Sequence, residues 1–194
     1  MSADDILFEM PHFSQYKIVV AGDALVGKTQ LVSVFTDRNF EHKPTAGADI
    51  SFLKLRGKGD KDDHTTTAIF WDLSGQPAFD KVRPLFYEGA HAVIYTFDVT
   101  RETTVLSLPS WVKEVKKYLP KSPAILIGNK IDLKKERQVS DDIGQKFADK
   151  MNAPYFPTSA IKNQGVGTAF ASAIRRAVYF RDSEGMQQLE SRSL

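Results

Sequence analysis

The sequence predicts an α/β domain: a mostly parallel six-stranded sheet with one antiparallel strand pair and helices on both faces. Short apolar runs recur at residues 17–20, 50–55, 67–71, 92–97, 124–127 and 155–156, and stretches of helical apolar spacing separate most of them. Strands alternating with helices imply parallel strands joined by crossovers. The exception is the polar tract Gly57-Lys-Gly-Asp-Lys-Asp-Asp-His64 between the second and third runs. Its glycines and charges suit an exposed hairpin turn, so those two strands are expected to pair antiparallel. A glycine-containing loop, GDALVGKT at 22–29, follows the first run and precedes an apolar helical pattern. In such a sheet, ligands bind at the carboxyl ends of the strands, which is where this loop falls.

The 194 residues suit one domain with a full core, 42% hydrophobic and 26% charged. A net charge of +2 provides no field to recommend nucleic acid as a partner. There is no cysteine, which excludes disulfides, thiolate metal sites, a Cys nucleophile and lipidation on Cys. No segment approaches the roughly twenty apolar residues of a transmembrane helix. The acidic start MSADDILFEMPHF is unlike a signal peptide, and Ser2 stands where myristoylation needs Gly. A cytoplasmic location follows as the expectation, with any membrane contact made through a partner. Ile6, Leu7, Phe8, Met10 and Phe13 are expected to pack on the domain. The domain is placed at 16–181, with an N-terminal extension at 1–15 and a polar, frayed helical tail at 182–194.

The first strand is the run 16–21 (YKIVVA), and QLVSVF at 30–35 can fill one face of the helix after the loop. Residues 105–119 place Val105, Leu108, Val112, Val115 and Leu119 on one helical face, with Lys113, Lys116 and Lys117 outside. A helix at 141–151 follows Ser140 as N-cap and is expected to bury Ile143 and Phe147. A last helix at 168–180 is apolar at Phe170, Ala173, Ile174, Ala177 and Val178.

The loop at 22–29 has the G-x-x-x-x-G-K-[ST] pattern in its strand–loop–helix setting, the signature of a phosphate cradle. Gly22 and Gly27 permit backbone angles and approaches that a Cβ blocks. Amides from Asp23, Ala24, Leu25, Val26, Gly27, Lys28, Thr29 and Gln30 can then surround a phosphate chain at a helix N-terminus. Lys28 is expected to reach the β- and γ-phosphates, and the Thr29 hydroxyl to ligate Mg²⁺. Asp72, ending the third run, can reach that ion, directly or through water. Gly75 leaves its amide open to a γ-phosphate, and the neutral Gln76 side chain suits orienting a water.

Asn129-Lys-Ile-Asp132 ends another run. A carboxylate accepting from both N1–H and the 2-amino group selects guanine, because adenine lacks that donor pair, and Asp132 fits the role. Asn129 can brace the loop, the Lys130 stem can lie along the base, and the loop Thr158-Ser159-Ala160 can offer amides to the guanine O6.

With these residues in place, the chain resembles the Ras-like small GTPases, and within them the Rab branch. The resemblance covers roughly 17–180 and rests on GDALVGKT (22–29), Thr45-Ala-Gly47, WDLSGQ (71–76), YEGAHAVIYTFDVT (87–100), GNKIDL (128–133) and TSA (158–160). It implies a GTP/GDP switch with slow intrinsic hydrolysis, accelerated by an activating protein and reset by an exchange factor. Thr45 would join Thr29 and Asp72 on Mg²⁺, and Phe40 would pack against guanine. Ile161, beside Ser159 and Ala160, stands where the family has Lys. The roles of catalysis fall to Gln76 and Lys28. No arginine occurs in 40–47, so a partner's arginine is expected to supply charge worth about 10³–10⁵ in rate.

The chain departs from the family at several points. FEHKPT (40–45) is shorter than the family pattern, with His42 its nearest ring to Thr45. Pro77 replaces the usual Glu after Gln76, fixing φ and removing a donor. Neither prenylatable cysteines nor a polybasic tail is present. By resemblance, Ile50, Trp71 and Phe86 form an apolar patch for partners within 40–52 and 71–87. A monomer is expected. The alternative is an adaptor that holds GTP or GDP without switching, which the short 40–45 segment and Pro77 favour. A P-loop kinase or ATPase fits poorly with Asp132.

Overall fold

The computed structural model describes residues 15–37, 46–57 and 64–192, with the side chains of 56–57, 64–65 and 184–192 excepted. The expectations for the N-terminal apolar residues, Phe40, His42 and Thr45 lie outside the described residues. The strands are β1 (Gln15–Ala21), β2 (Ala48–Gly57), β3 (His64–Leu73), β4 (Ala92–Asp98), β5 (Ala124–Asn129) and β6 (Tyr155–Thr158). They form one sheet in the order β2-β3-β1-β4-β5-β6. All neighbours are parallel except β2 and β3, which pair antiparallel from Ala48 opposite Leu73 to Gly57 opposite His64. The expected fold class and the single antiparallel pair are both present.

The central strands are apolar on both sides, which is why they read as unbroken runs rather than alternating ones. Ile18, Val20, Ile94, Ile125 and Ile127 enter one core with α1 (Lys28–Phe35) and α5 (Val166–Arg192), where Phe170 and Ile174 are fully buried. Val19, Ala21, Val93, Tyr95 and Leu126 enter the other, under α2 (Glu102–Leu106), α3 (Leu108–Lys116) and α4 (Asp141–Lys150). The last helix starts two residues before its expected position and continues to Arg192.

Two expectations are corrected. The helix expected over 105–119 is divided at Ser107, because Pro109 has no N–H to donate to Val105 and its ring crowds that carbonyl. The apolar face survives the break: Val105, Leu108, Val115 and Leu119 are buried, and Trp111 joins them. Ile143 is not buried but 37% exposed. The helix instead rests on Gly144 and Ala148, with Phe147 partly buried. Tyr155 lies directly beneath, where a Cβ on Gly144 would stand 2.6 Å from its ring, so the backbone approaches too closely for Ile143 to face inward. Ser140 caps this helix as expected, its hydroxyl accepting from the Ile143 amide.

Candidate functional site

The carboxyl ends of β1, β3, β5 and β6 converge on a cavity of about 470 Å³. It is lined by Ala24, Leu25, Gly27, Lys28, Thr29 and Gln30 from the loop after β1, Leu73 to Gln76 after β3, Asn129, Lys130, Asp132 and Leu133 after β5, and Ala160 and Ile161 after β6.

The loop after β1 is held from behind by its carbonyls. Lys28 donates to Gly22 O at 2.7 Å and Asp23 O at 2.8 Å. Arg101 donates to Ala24 O at 2.9 Å, Lys130 to Leu25 O at 2.9 Å and Asn129 Nδ2 to Val26 O at 2.9 Å. Every carbonyl from Gly22 to Val26 is thus taken. The amides of Asp23 to Lys28 donate to no group among the described residues. Such a run of unspent donors fits an anion of several phosphates, since buried N–H groups rarely go without partners.

Glycine is required at two points of this cradle. Gly22 lies at φ +142, where a Cβ would sit 2.1 Å from Thr96 O, and Gly27 lies at φ +97, with Asn129 Nδ2 2.4 Å from the Cβ position. Gly75 presses its backbone on the loop at Asp23 and Ala24, so the segment after β3 touches the cradle directly. Leu25 takes a left-handed φ of +65 without being glycine, and its side chain is 75% exposed over the cavity mouth.

Lys28 is nearly fully buried, and burial pulls its ammonium down to about 8 against the opposing pull of Asp72 and Asp23. The Thr29 hydroxyl donates to Asp72 Oδ2, joining the two expected metal donors across the β1 and β3 ends. Among the described residues no cluster of three His, Cys, Asp or Glu side chains could hold a metal. One hydroxyl and one carboxylate fit Mg²⁺, which completes its shell with phosphate oxygens and water.

At the other end of the cavity, Asn129 is 1% exposed and knits three loops together. Its Nδ2 holds the first loop, while its Oδ1 accepts from Thr158 Oγ1 at 3.1 Å and the Ala160 amide at 3.2 Å. Ser159 is buried and donates to Asp132 Oδ1 at 2.5 Å, which sets that carboxylate at the cavity edge. Ile161, in the family's Lys position, is 66% exposed.

Two side chains of the loop stay out of the cavity, where the sequence reading asked only for their amides. Val26 is fully buried, its carbonyl held by Asn129. The Asp23 carboxylate turns away from the cavity toward α3, accepting from Trp111 Nε1 at 2.7 Å and Ser107 Oγ at 2.8 Å. Sequence reasoning also missed Asp98, Arg101 and Arg83. Asp98 is fully buried and takes Lys130 Nζ at 2.6 Å and Arg101 Nε at 3.1 Å. Burial alone would raise its carboxyl, but the bonds from Lys130 and Thr100 hold it below the ordinary aspartate value. An acid ending the strand β4 three residues before Arg101 was a signal, yet nothing in the pattern named Lys130 as its second partner.

Of the expected partner patch, Trp71 and Phe86 are half-buried with ring centroids 5.8 Å apart, and Ile50 lies opposite Trp71 in the antiparallel register. Phe52 at 60% and Leu85 at 74% exposure extend the apolar surface. Lys17 Nζ sits 4.2 Å from the Trp71 ring centroid, a cation on an aromatic face. Among the described residues no helix is long and apolar enough to cross a membrane.

The model of the Ras family matches residues 17–179. The chain is 35% identical over 164 residues to Ras-related protein RABA6b of Arabidopsis thaliana, spanning 83% of this chain and 70% of that one. It is 33% identical over 166 residues to Ras-related protein Rab-21 of Mus musculus, spanning 84% and 73%. To Ras-related protein RabC of Dictyostelium discoideum it is 33% identical over 158 residues, spanning 80% of each. With one continuous match over the whole sheet and a third of its positions shared with Rab proteins, the chain belongs to the Ras family of small GTPases and is Rab-like.

Proposed function

We propose that this Rab-like GTPase is a Mg²⁺-dependent switch that binds GTP, hydrolyses it slowly and acts in intracellular trafficking through GTP-dependent binding of effector proteins. The observation that carries the reading is the cradle: the carbonyls of 22–26 are fastened from behind while the amides of 23–28 are left to donate. A triphosphate takes those amides, Lys28 lies against its β- and γ-phosphates, and Asp132 reads guanine at the far end. Thr29 and Asp72 would hold Mg²⁺, with Thr45 joining them. The ion would neutralise charge on the phosphates. By resemblance to the family, Phe40 would pack on the base, Ser159, Ala160 and Ile161 would border it, Gly75 would meet the γ-phosphate, and Gln76 would orient the attacking water.

Little covalent chemistry is asked of the protein, since positioning and charge stabilisation do most of the work in phosphoryl transfer. An activating protein supplies an arginine, an exchange factor resets the switch, and effectors meet 40–52 and 71–87 around Ile50, Trp71 and Phe86. The catalytic unit is 16–181, flanked by the extension 1–15 and the tail 182–194; it works as a cytoplasmic monomer, reaching membranes through a partner.

Single-turnover GTP hydrolysis, with and without Gln76→Leu and with cell extract added, tests the switch. Equal negligible rates would leave a nucleotide-holding adaptor in its place. Asp132→Asn is expected to shift preference from guanine toward xanthine nucleotides, and tighter binding of ATP than GTP by the native chain would overturn the base assignment.

A further inference from the structure

Resting on the reading of Gln76 as the water-orienting residue, we propose that Arg83 is a positioning residue for hydrolysis, tying the Gln76 turn to α3. Arg83 is 4% exposed, a depth at which an arginine needs a partner for every donor. Its Nε and one Nη form a two-pronged bond to Glu114 of α3, both at 3.0 Å. The same Nη reaches Asp80 at 2.8 Å. The other Nη points back at Ser74 O (3.3 Å) and Gln76 O (3.4 Å), the carbonyls on either side of Gly75. All five donors of the fork are engaged. The segment bearing Gln76 cannot shift on the cavity without breaking contacts to a buried charge.

The anchor is itself fixed. Glu114 also accepts from Tyr87 Oη at 2.7 Å. Burial would raise the Glu114 carboxyl, but the bonds from Arg83 and Tyr87 hold it below its ordinary value, so it stays charged. The guanidinium lies 4.3 Å from the Trp111 ring centroid, and the Trp111 indole N–H donates to Asp23 of the loop after β1 at 2.7 Å. Gln76 and the phosphate loop are therefore referred to one side chain of α3 from opposite sides. Pro77, with its φ fixed and no N–H, starts the short 3₁₀ turn directly after Gln76. The Gln76 turn is held by the Phe79 amide, which donates to Gln76 O at 3.1 Å, by Arg83 on the Ser74 and Gln76 carbonyls, and by Ser74 Oγ, which accepts the Gln76 amide at 3.3 Å.

Single-turnover GTP hydrolysis and GDP dissociation are to be measured in parallel. Arg83→Gln is expected to slow hydrolysis about tenfold while GDP dissociation changes less than about threefold. Arg83→Lys restores part of the rate, since it keeps the charge but not the fork. Trp111→Phe keeps a ring under Arg83 and loses the N–H to Asp23; its smaller effect is non-additive with Asp23→Asn. Hydrolysis at the native rate in Arg83→Gln overturns the proposal, as does a fall that merely parallels loss of thermal stability and GDP retention. If the native protein hydrolyses no GTP, it is the switch reading that fails. The network is then judged by hydrogen exchange of the amides of 74–76, 78 and 79 in the purified protein: faster exchange in Arg83→Gln supports it, and unchanged exchange overturns it.

Discussion

Replacing Asp98 by Asn removes one negative charge and leaves the shape of the side chain. In the native protein that carboxylate is fully buried and balances Lys130 Nζ at 2.6 Å and Arg101 Nε at 3.1 Å. Removing one member of a buried pair costs about 3–5 kcal/mol when the partner stays buried. Here the cations are only partly buried, Lys130 at 30% and Arg101 at 38% side-chain exposure, and can turn toward water. The expected loss of stability is therefore smaller, about 1–3 kcal/mol. The local consequence matters more. Lys130 holds Leu25 O and Arg101 holds Ala24 O, so both fastenings of the loop behind the phosphates loosen together. If about 1.4 kcal/mol of that falls on the nucleotide-bound state, GDP leaves tenfold faster. Denaturant unfolding at neutral pH and release of a fluorescent GDP analogue read the two effects separately. The acid limb adds a sign. Because the folded carboxyl sits below its unfolded value, its stabilisation is complete above the ordinary aspartate range and is lost as pH falls through the folded value. Asp98→Asn lacks that part of the acid loss. Stability within about 0.5 kcal/mol of native, together with unchanged GDP release, would refute the account.

Three further outcomes follow from single positions. Burial holds Lys28 at about 8, so nucleotide-free protein is expected to gain stability as pH rises from there toward 10.5, by up to ~3 kcal/mol, because the unfolded chain keeps a proton the folded one releases. Phosphates would recharge Lys28, so nucleotide binding near pH 9 (roughly mid-window) takes up protons; calorimetry in buffers of different ionisation heat that gives one enthalpy would contradict this. Gly27→Ala places a Cβ 2.4 Å from Asn129 Nδ2 at φ +97 and should cost about 2–4 kcal/mol with loss of nucleotide affinity, checked by thermal unfolding and equilibrium dialysis. Gly144→Ala improves helix propensity by up to ~1 kcal/mol but drives a methyl to 2.6 Å from the Tyr155 ring, costing about 1–3. Net destabilisation on urea unfolding is expected; a more stable variant would refute the packing account.

Much of this protein was legible before any coordinates. Unbroken apolar runs, the polar tract at 57–64, the GDALVGKT loop and the Asn129-Lys-x-Asp132 end of β5 are local in sequence, because strand, turn and helix preferences and the ligand geometry of a loop are local chemistry. They were enough for the sheet, its antiparallel pair and the family. The break before Pro109 was also written in the chain, and apolar spacing that ran through it hid the signal.

What the sequence could not supply were pairings between distant residues. Asp23 looked like part of a phosphate loop; only the placement of α3 turns its carboxylate toward Trp111, 88 residues on. Asp98 with Arg101 and Lys130, and Arg83 with Glu114, are ordinary surface-type residues by composition, and burial with partners from other elements makes them fastenings. Gly144 and Ile143 exchanged roles because Tyr155 occupies the space beneath α4. The chain by itself determined which chemistry is present and at which strand ends it emerges, since both follow from short-range pattern. The tertiary structure alone decided which charges meet, because a buried charge is defined by neighbours that sequence distance does not reveal.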